Sequence, residues 1–284
     1  GTDTLNVDVK TSVTPQTLTS IETVNATFSA AVTLGLAQAT DTTTVKSLSS
    51  TAAATFSGLG SQVANLGVEN TTSATTFTYA STSGTQSKNV AVNNVTGGTT
   101  GSIIVEGIET LTFTASGVDS SYEVDSSAST LNFAGAANQT VVLDATNLST
   151  STYDASSATG NVTLTTIDQT SVGTATDVSV IGGAGNDSFT LVESNDLSVS
   201  GGAGDDTFTM LAIDTSDSVN GGAGTDTIIT DNTNAVALDG AARTTFTNVE
   251  GFTVTDTLTG DLNVNQISSS INTVNLTETD AEIT

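Results

Sequence analysis

The chain has 284 residues, a formal charge of −26 and four cationic side chains, Lys10, Lys46, Lys88 and Arg243. That balance excludes nucleic-acid binding, which needs clustered Lys and Arg against phosphates, and it argues against docking on anionic membrane surfaces. Neither Cys nor His occurs, which removes a disulfide framework, a thiol nucleophile, a Ser-His-Asp triad and a His-based zinc site.

No apolar run of about 18 residues exists, so membrane insertion through a helix is not expected. No basic stretch leads into an apolar one in the manner of a signal peptide. Thr, Ser and Gly dominate, and straight-chain helix formers are scarce. β-branched residues favour strands, and their regular apolar punctuation argues against disorder. The length suits one large domain, two smaller ones, or an elongated solenoid that needs no central core.

The chain opens on Gly1-Thr-Asp3-Thr-Leu5, which matches Gly224-Thr-Asp226-Thr-Ile228 far downstream. The opening therefore reads as the second half of a Gly-rich repeat, and we expect the sequence to be cut from a longer repeat protein. A second recurring element follows. Ser20-Ile21-Glu22-Thr-Val24, Gly107-Ile108-Glu109-Thr-Leu111 and Asn248-Val249-Glu250-Gly-Phe252 share a turn, an apolar residue, a Glu and an alternating strand, and Gly67-Val68-Glu69 is a looser relative. The Glu is read either as a surface residue beside the turn or as an acceptor of backbone N–H groups or a cation ligand. Asn93 to Gly101 reads as the clearest loop of the first half, and Pro15 is the single proline.

Between these markers the strands keep a beat. Phe113 and Phe133 are 20 apart, and Leu143 and Tyr153 fall at further steps of 10. A step of 10 suits one strand plus one turn, and a step of 20 one two-sided coil. The predicted fold is all-β, a parallel β-solenoid, with antiparallel β-sandwich modules flanking a β-roll as the alternative. Three segments are expected: a solenoid-like region over 1–175, a Gly-rich β-roll over 176–230, and a β-rich continuation over 231–284. In the last of these, Leu262, Val264, Ile267, Ile271, Val274 and Leu276 read as strand-like alternation, and no amphipathic helix of useful length is expected.

The most informative stretch is Gly182 to Thr230. It carries Gly182-Gly-Ala184-Gly-Asn186-Asp187, Gly201-Gly-Ala203-Gly-Asp205-Asp206 and Gly221-Gly-Ala223-Gly-Thr225-Asp226, at offsets of 19 and 20. Two places after each Asp stands Phe189, Phe208 or Ile228, predicted to point into a core between sheets. Glycines permit positive φ and clear space in a tight loop. Carbonyls can then turn towards a cation and the Asp adds a charged oxygen, as hard Ca²⁺ requires. Oxygen-only donors disfavour zinc and copper.

This pattern resembles the RTX (repeat-in-toxin) family of calcium-binding β-rolls. The resemblance implies calcium held between successive turns, by Asp187 with Asp206 and by Asp206 with Asp226. Backbone carbonyls of Gly182, Ala184, Gly201, Ala203, Gly221 and Ala223 would complete the sites, with Asn186, Asp205 and Thr225 beside them. Asp3 would play the same part against an upstream loop. A further ladder, Asp177, Asp196 and Asp217, lies on the opposite side of the coil and reads either as turn-forming Asp or as a second site.

The approach from Ser151-Thr-Tyr153-Asp-Ala through Val180-Ile181-Gly-Gly, with the Ile-Glu-Thr strands, is similar to bacterial surface-layer proteins of the RTX type. That likeness implies a secreted, non-enzymatic structural protein of the cell surface, exported unfolded by a type I system and folded outside by calcium. Its partners would be copies of itself in a lattice or filament, with cell-surface polysaccharide as a further candidate. An adhesin segment and the calcium-binding part of a larger secreted enzyme or toxin are the alternatives. No G-K-[ST] phosphate loop occurs, and no acidic pair stands apart from the turn aspartates.

Overall fold

The computed structural model describes residues 1–144, 150–166, 177–192, 196–213, 216–238 and 245–279. It forms two compact units, Gly1–Thr150 and Ser151–Thr284. The Gly-rich loops belong to the second. The segment boundary expected at 175 lies outside the described residues, as does Arg243.

The first unit is a two-sheeted parallel solenoid. One sheet runs in the order β1 (Thr4–Val9), β2 (Thr23–Phe28), β4 (Thr44–Leu48), β6 (Asn65–Thr71), β8 (Ser87–Val95), β10 (Thr110–Ala115) and β12 (Thr130–Gly135). The other runs β3 (Val32–Gly35), β5 (Ala54–Leu59), β7 (Thr75–Tyr79), β9 (Gly98–Val105), β11 (Ser120–Asp125) and β13 (Gln139–Leu143). The chain alternates between the sheets, so each coil contributes one strand to each.

Alternation decides which side chains fill the space between them. Val24, Ala26 and Phe28 of β2 are fully buried while Thr23, Asn25 and Thr27 face outward at the surface. Coils then stack like on like. Phe113 pairs in register with Phe133, their rings 6.1 Å apart, and Phe56 stacks on Phe77 at 5.3 Å. Each such ring contributes about 1.5–3 kcal/mol through burial. The step of 20 between Phe113 and Phe133 is thus one coil of the solenoid, as the spacing predicts.

The second unit has the same plan. One sheet contains β14 (Thr152–Ala158), β16 (Val178–Ile181), β18 (Leu197–Ala203), β20 (Ser218–Ala223) and β22 (Phe246–Thr247). The other contains β15 (Val162–Thr165), β17 (Ser188–Leu191), β19 (Thr207–Met210), β21 (Thr227–Thr230), β23 (Gly251–Leu258) and β24 (Thr273–Thr279). Phe189, Phe208, Ile228 and Phe252 occupy one register column, all buried. This is the core position predicted for the residue two places after each Asp.

Every strand pairing among the described residues is parallel. Parallel neighbours need a crossover rather than a hairpin, so antiparallel sandwich modules are set aside in favour of the solenoid.

Two local expectations are corrected. Asn93–Gly101 is not a long loop. β8 runs to Val95 and β9 begins at Gly98, and the corner is made by Asn94 and Gly98, both in the left-handed region. Val264–Ile267 is a short helix, α2, rather than part of a strand, and it buries Val264 and Ile267 on one face. A second helix, α1, spans Asn232–Leu238. Asp231 caps it, Oδ1 accepting the N–H of Asn234 at 2.8 Å.

Candidate metal centre

The Gly-rich loops are the corners by which the chain of the second unit passes from one sheet to the other. β18 and β20 continue into their loops, so Gly202 pairs with Gly222 and Ala203 with Ala223. That close stacking explains the glycines. A Cβ on Gly201 would stand 2.2 Å from the carbonyl oxygen of Gly221 and 2.3 Å from Asp206 Oδ2. Only a hydrogen fits there.

The loop aspartates alternate with their neighbours across the chain surface. Asp187, Asp206 and Asp226 point inward and are buried, whereas Asn186, Asp205 and Thr225 are exposed. The buried set forms a column with a direction. Asp187 Oδ1 accepts the N–H of Val162 at 2.7 Å, Asp206 Oδ1 that of Asp187 at 2.7 Å, and Asp226 Oδ1 that of Asp206 at 2.8 Å. Glu250 then accepts from the N–H of Asp226 at 2.9 Å. Each acid reaches back one turn.

The exposed set reaches the other way. The side-chain oxygen of Asn161 accepts the N–H of Asn186 at 2.9 Å, that of Asn186 the N–H of Asp205 at 3.0 Å, and that of Asp205 the N–H of Thr225 at 2.8 Å. Two antiparallel ladders of side chains thus stitch the corners together. They satisfy amides that the turn would otherwise leave bare.

The second carboxylate oxygens set the electrostatics. Asp187 Oδ2 accepts the N–H of Gly183 at 2.7 Å. Asp206 Oδ2 and Asp226 Oδ2 are buried with no hydrogen-bond partner. Burial accordingly raises all three acids. Asp206 is pushed up to about 7, with the Asp187 N–H opposing the rise and the charges of Asp187, Asp226 and Asp205 adding to it. Asp187 is raised by burial against its bonds from Gly183 and Val162. Asp226 is raised by burial against the Asp206 N–H, with Glu250 and Asp205 adding to the rise.

A buried, unpartnered carboxylate oxygen calls for a proton or a cation. The donors around it are oxygens: Asp206 Oδ2 and the carbonyl of Gly221 both lie against the position where a Cβ on Gly201 would stand, and Asp226 Oδ2 and the carbonyl of Asn248 against that on Gly221. This chemistry fits a hard divalent ion, with Asp206, Asp226 and those carbonyls as the residues that would hold it. The ion would supply the positive charge that the column lacks. Among the described residues, no three acidic side chains come together as one metal-binding group; backbone carbonyls are the remaining donors.

No family model, curated protein or solved structure matches this chain.

The carboxylates of successive loops are linked through backbone amides, Asp206 to the N–H of Asp187 and Asp226 to the N–H of Asp206. The carbonyl of Ala223 accepts the N–H of Gly204 at 2.8 Å. Asp3 is exposed, and its N–H donates to Glu22 at 2.6 Å. The opposite ladder loses its register. Asp177 and Asp196 are aligned and exposed, but Asp217 falls level with Leu197, buried, and accepts its N–H at 2.9 Å.

The recurring Glu is an amide acceptor at three of its four positions. Glu22 takes the N–H of Asp3, Glu109 that of Gln86 at 2.6 Å, and Glu250 that of Asp226. Glu69 instead pairs with Lys46 at 2.9 Å. Glu250 thereby joins the acid column, a place that the glycine pattern alone does not mark.

Proposed function

We propose that this chain is a calcium-binding structural protein of the RTX type, secreted to the bacterial cell surface. Its assembly partner is a further copy of itself in a lattice or filament, with surface polysaccharide as anchor. The observation that carries the reading is the pair of buried carboxylate oxygens, Asp206 Oδ2 and Asp226 Oδ2, each without a partner beside a backbone carbonyl. Repulsion within a chain of charge −26 adds to the need for counter-cations. Three Gly-Gly-Ala-Gly loops stacked on one side of a parallel solenoid supply the repeated oxygen donors. Sites of this type in extracellular modules bind calcium at about 10⁻⁴–10⁻³ M, so the surroundings of a cell would fill them and a cytosol would not. Binding would couple to folding of the loops.

Calorimetric titration with calcium and with magnesium, together with melting in calcium and in chelator, tests this. Saturable calcium binding and a melting point that drops on chelation are expected. A melting curve indifferent to chelator, with no heat of binding, removes calcium from the account. Electron microscopy of the purified chain with and without calcium tests the assembly: ordered sheets or filaments in calcium alone are expected, and monomers in both refute it.

A further inference from the structure

The three Gly-Gly-Ala-Gly loops are nearly identical in sequence but not in conformation. Gly202 and Gly204 of the second loop and Gly222 and Gly224 of the third lie at positive φ, between 101° and 144°, whereas Gly183 and Gly185 of the first do not. In the first loop the Gly183 N–H turns onto Asp187 Oδ2, so both oxygens of that carboxylate are hydrogen-bonded. In the other two loops Oδ2 is left with no partner.

Beyond the third loop the pattern continues without its glycines. Asn248 sits in the left-handed region at φ 52°, and its carbonyl oxygen would stand 1.8 Å from a Cβ on Gly221, with Asp226 Oδ2 2.5 Å away. Equivalent atoms surround Gly201 one turn earlier, as the Gly221 carbonyl at 2.2 Å and Asp206 Oδ2 at 2.3 Å, and Gly182 in the first loop, as the Gly201 carbonyl at 1.9 Å and Asp187 Oδ2 at 2.8 Å. What sets the first loop apart is the Gly183 N–H that occupies Asp187 Oδ2. Glu250 holds the Asp226 N–H as Asp226 holds that of Asp206. Asp226 is fully buried. The corner 248–250 therefore stands in for a fourth loop.

We infer that the cation column is displaced by one turn from the Gly-rich motif: a calcium ion binds at Asp226 Oδ2 and the Asn248 carbonyl, and none binds at Asp187. This rests on the calcium reading above and deepens it. A cation at Asp226 neutralises an oxygen that has no other partner. At Asp187 it would have to displace the Gly183 N–H.

The test counts ions. Asp226→Asn keeps an oxygen for the Asp206 N–H and turns the other position from an acceptor into a donor, which cannot ligate a cation. Asp187→Asn is the comparison. Bound calcium per folded chain is measured by equilibrium dialysis and elemental analysis. D226N should bind one ion fewer than wild type, and D187N the same number. An unchanged count in D226N, or a lost ion in D187N, overturns the inference while leaving calcium binding intact. A wild-type chain that binds no calcium instead overturns the calcium reading itself. If D226N does not fold, diffraction from wild-type crystals grown with calcium decides. An ion about 2.3–2.6 Å from Asp226 Oδ2 and the Asn248 oxygen is expected, and an ion on Asp187 with none on Asp226 refutes the displacement.

Discussion

The carboxylate of Asp206 holds the backbone N–H of Asp187, 19 positions earlier, at 2.7 Å. It therefore does not meet the earlier carboxylate oxygen to oxygen. One of its two oxygens does backbone work, and the other is left for a proton or an ion. The loops consequently carry a titration signature.

In the cation-free chain, acid should stabilise the loops. Asp206 moves from its ordinary 3.8 to about 7, chiefly through burial. Between those values the folded chain holds more protons than the unfolded one, so unfolding free energy falls as pH rises through the window. The raised Asp187 and Asp226 act in the same direction. Melting in chelator at about pH 5 and about pH 8 checks this: the midpoint should be higher at the lower pH, and calcium should narrow the gap.

The Glu corners predict a loss in both units, unequal in size. Glu22→Ala strips an acceptor from the Asp3 N–H, and Glu250→Ala one from the Asp226 N–H. A hydrogen bond to a charged group contributes about 1.5–3 kcal/mol. Asp3 is exposed and its amide can turn to water, so E22A should fall at or below the low end and E250A higher. Urea unfolding of both variants measures the difference, and Gln at either position should recover most of it.

Gly201→Ala should be among the most damaging single changes in the loops. Its new methyl would meet the Gly221 carbonyl at 2.2 Å and Asp206 Oδ2 at 2.3 Å, so about 3 kcal/mol is expected from overpacking. Gly84→Ala is the contrast. That glycine has a positive φ of 80° but open space around it, so only the left-handed penalty of about 1–2 kcal/mol applies. Denaturant midpoints of the two variants give the ranking.

Phe208→Ala removes a ring from the middle of the column Phe189–Phe208–Ile228. Its partner Phe189 lies 6.2 Å away and both are buried. The loss should be about 3–5 kcal/mol. Lys46→Ala, which breaks a half-exposed pair with Glu69, should cost about 0–1 kcal/mol. Near-equal losses would mean that the inner column does not dominate stability.

The fold was legible because a stacked solenoid repeats its inward columns, and columns such as Phe113–Phe133 and Phe189–Phe208 write the coil length directly into the residue spacing. The spacing likewise shows Asp187, Asp206 and Asp226 as one column, though not their burial. What stayed hidden depends on backbone conformation rather than composition. Gly-Gly-Ala-Gly reads alike at 182 and 201, yet only the second places its glycines at positive φ. The step of 21 between Asp196 and Asp217 is one longer than the 20-residue register between β18 and β20. In a parallel sheet one residue of slip turns a side chain to the other face, and Asp217 is buried while Asp196 is exposed. The Glu corners showed in the spacing, but their bonds to the preceding turn needed coordinates.

The back-reaching column also has a mechanical consequence. The amide of Asp187 is held by Asp206, that of Asp206 by Asp226, and that of Asp226 by Glu250. Tension applied at the C-terminal side therefore removes these clasps in series, Glu250 first, and each release uncovers the next. Turns that touch only their neighbours yield one after another. Under load this stretch should behave as a ratcheted zip whose teeth come free from one end, and ions seated at Asp226 and Asp206 would lock the first teeth to be pulled.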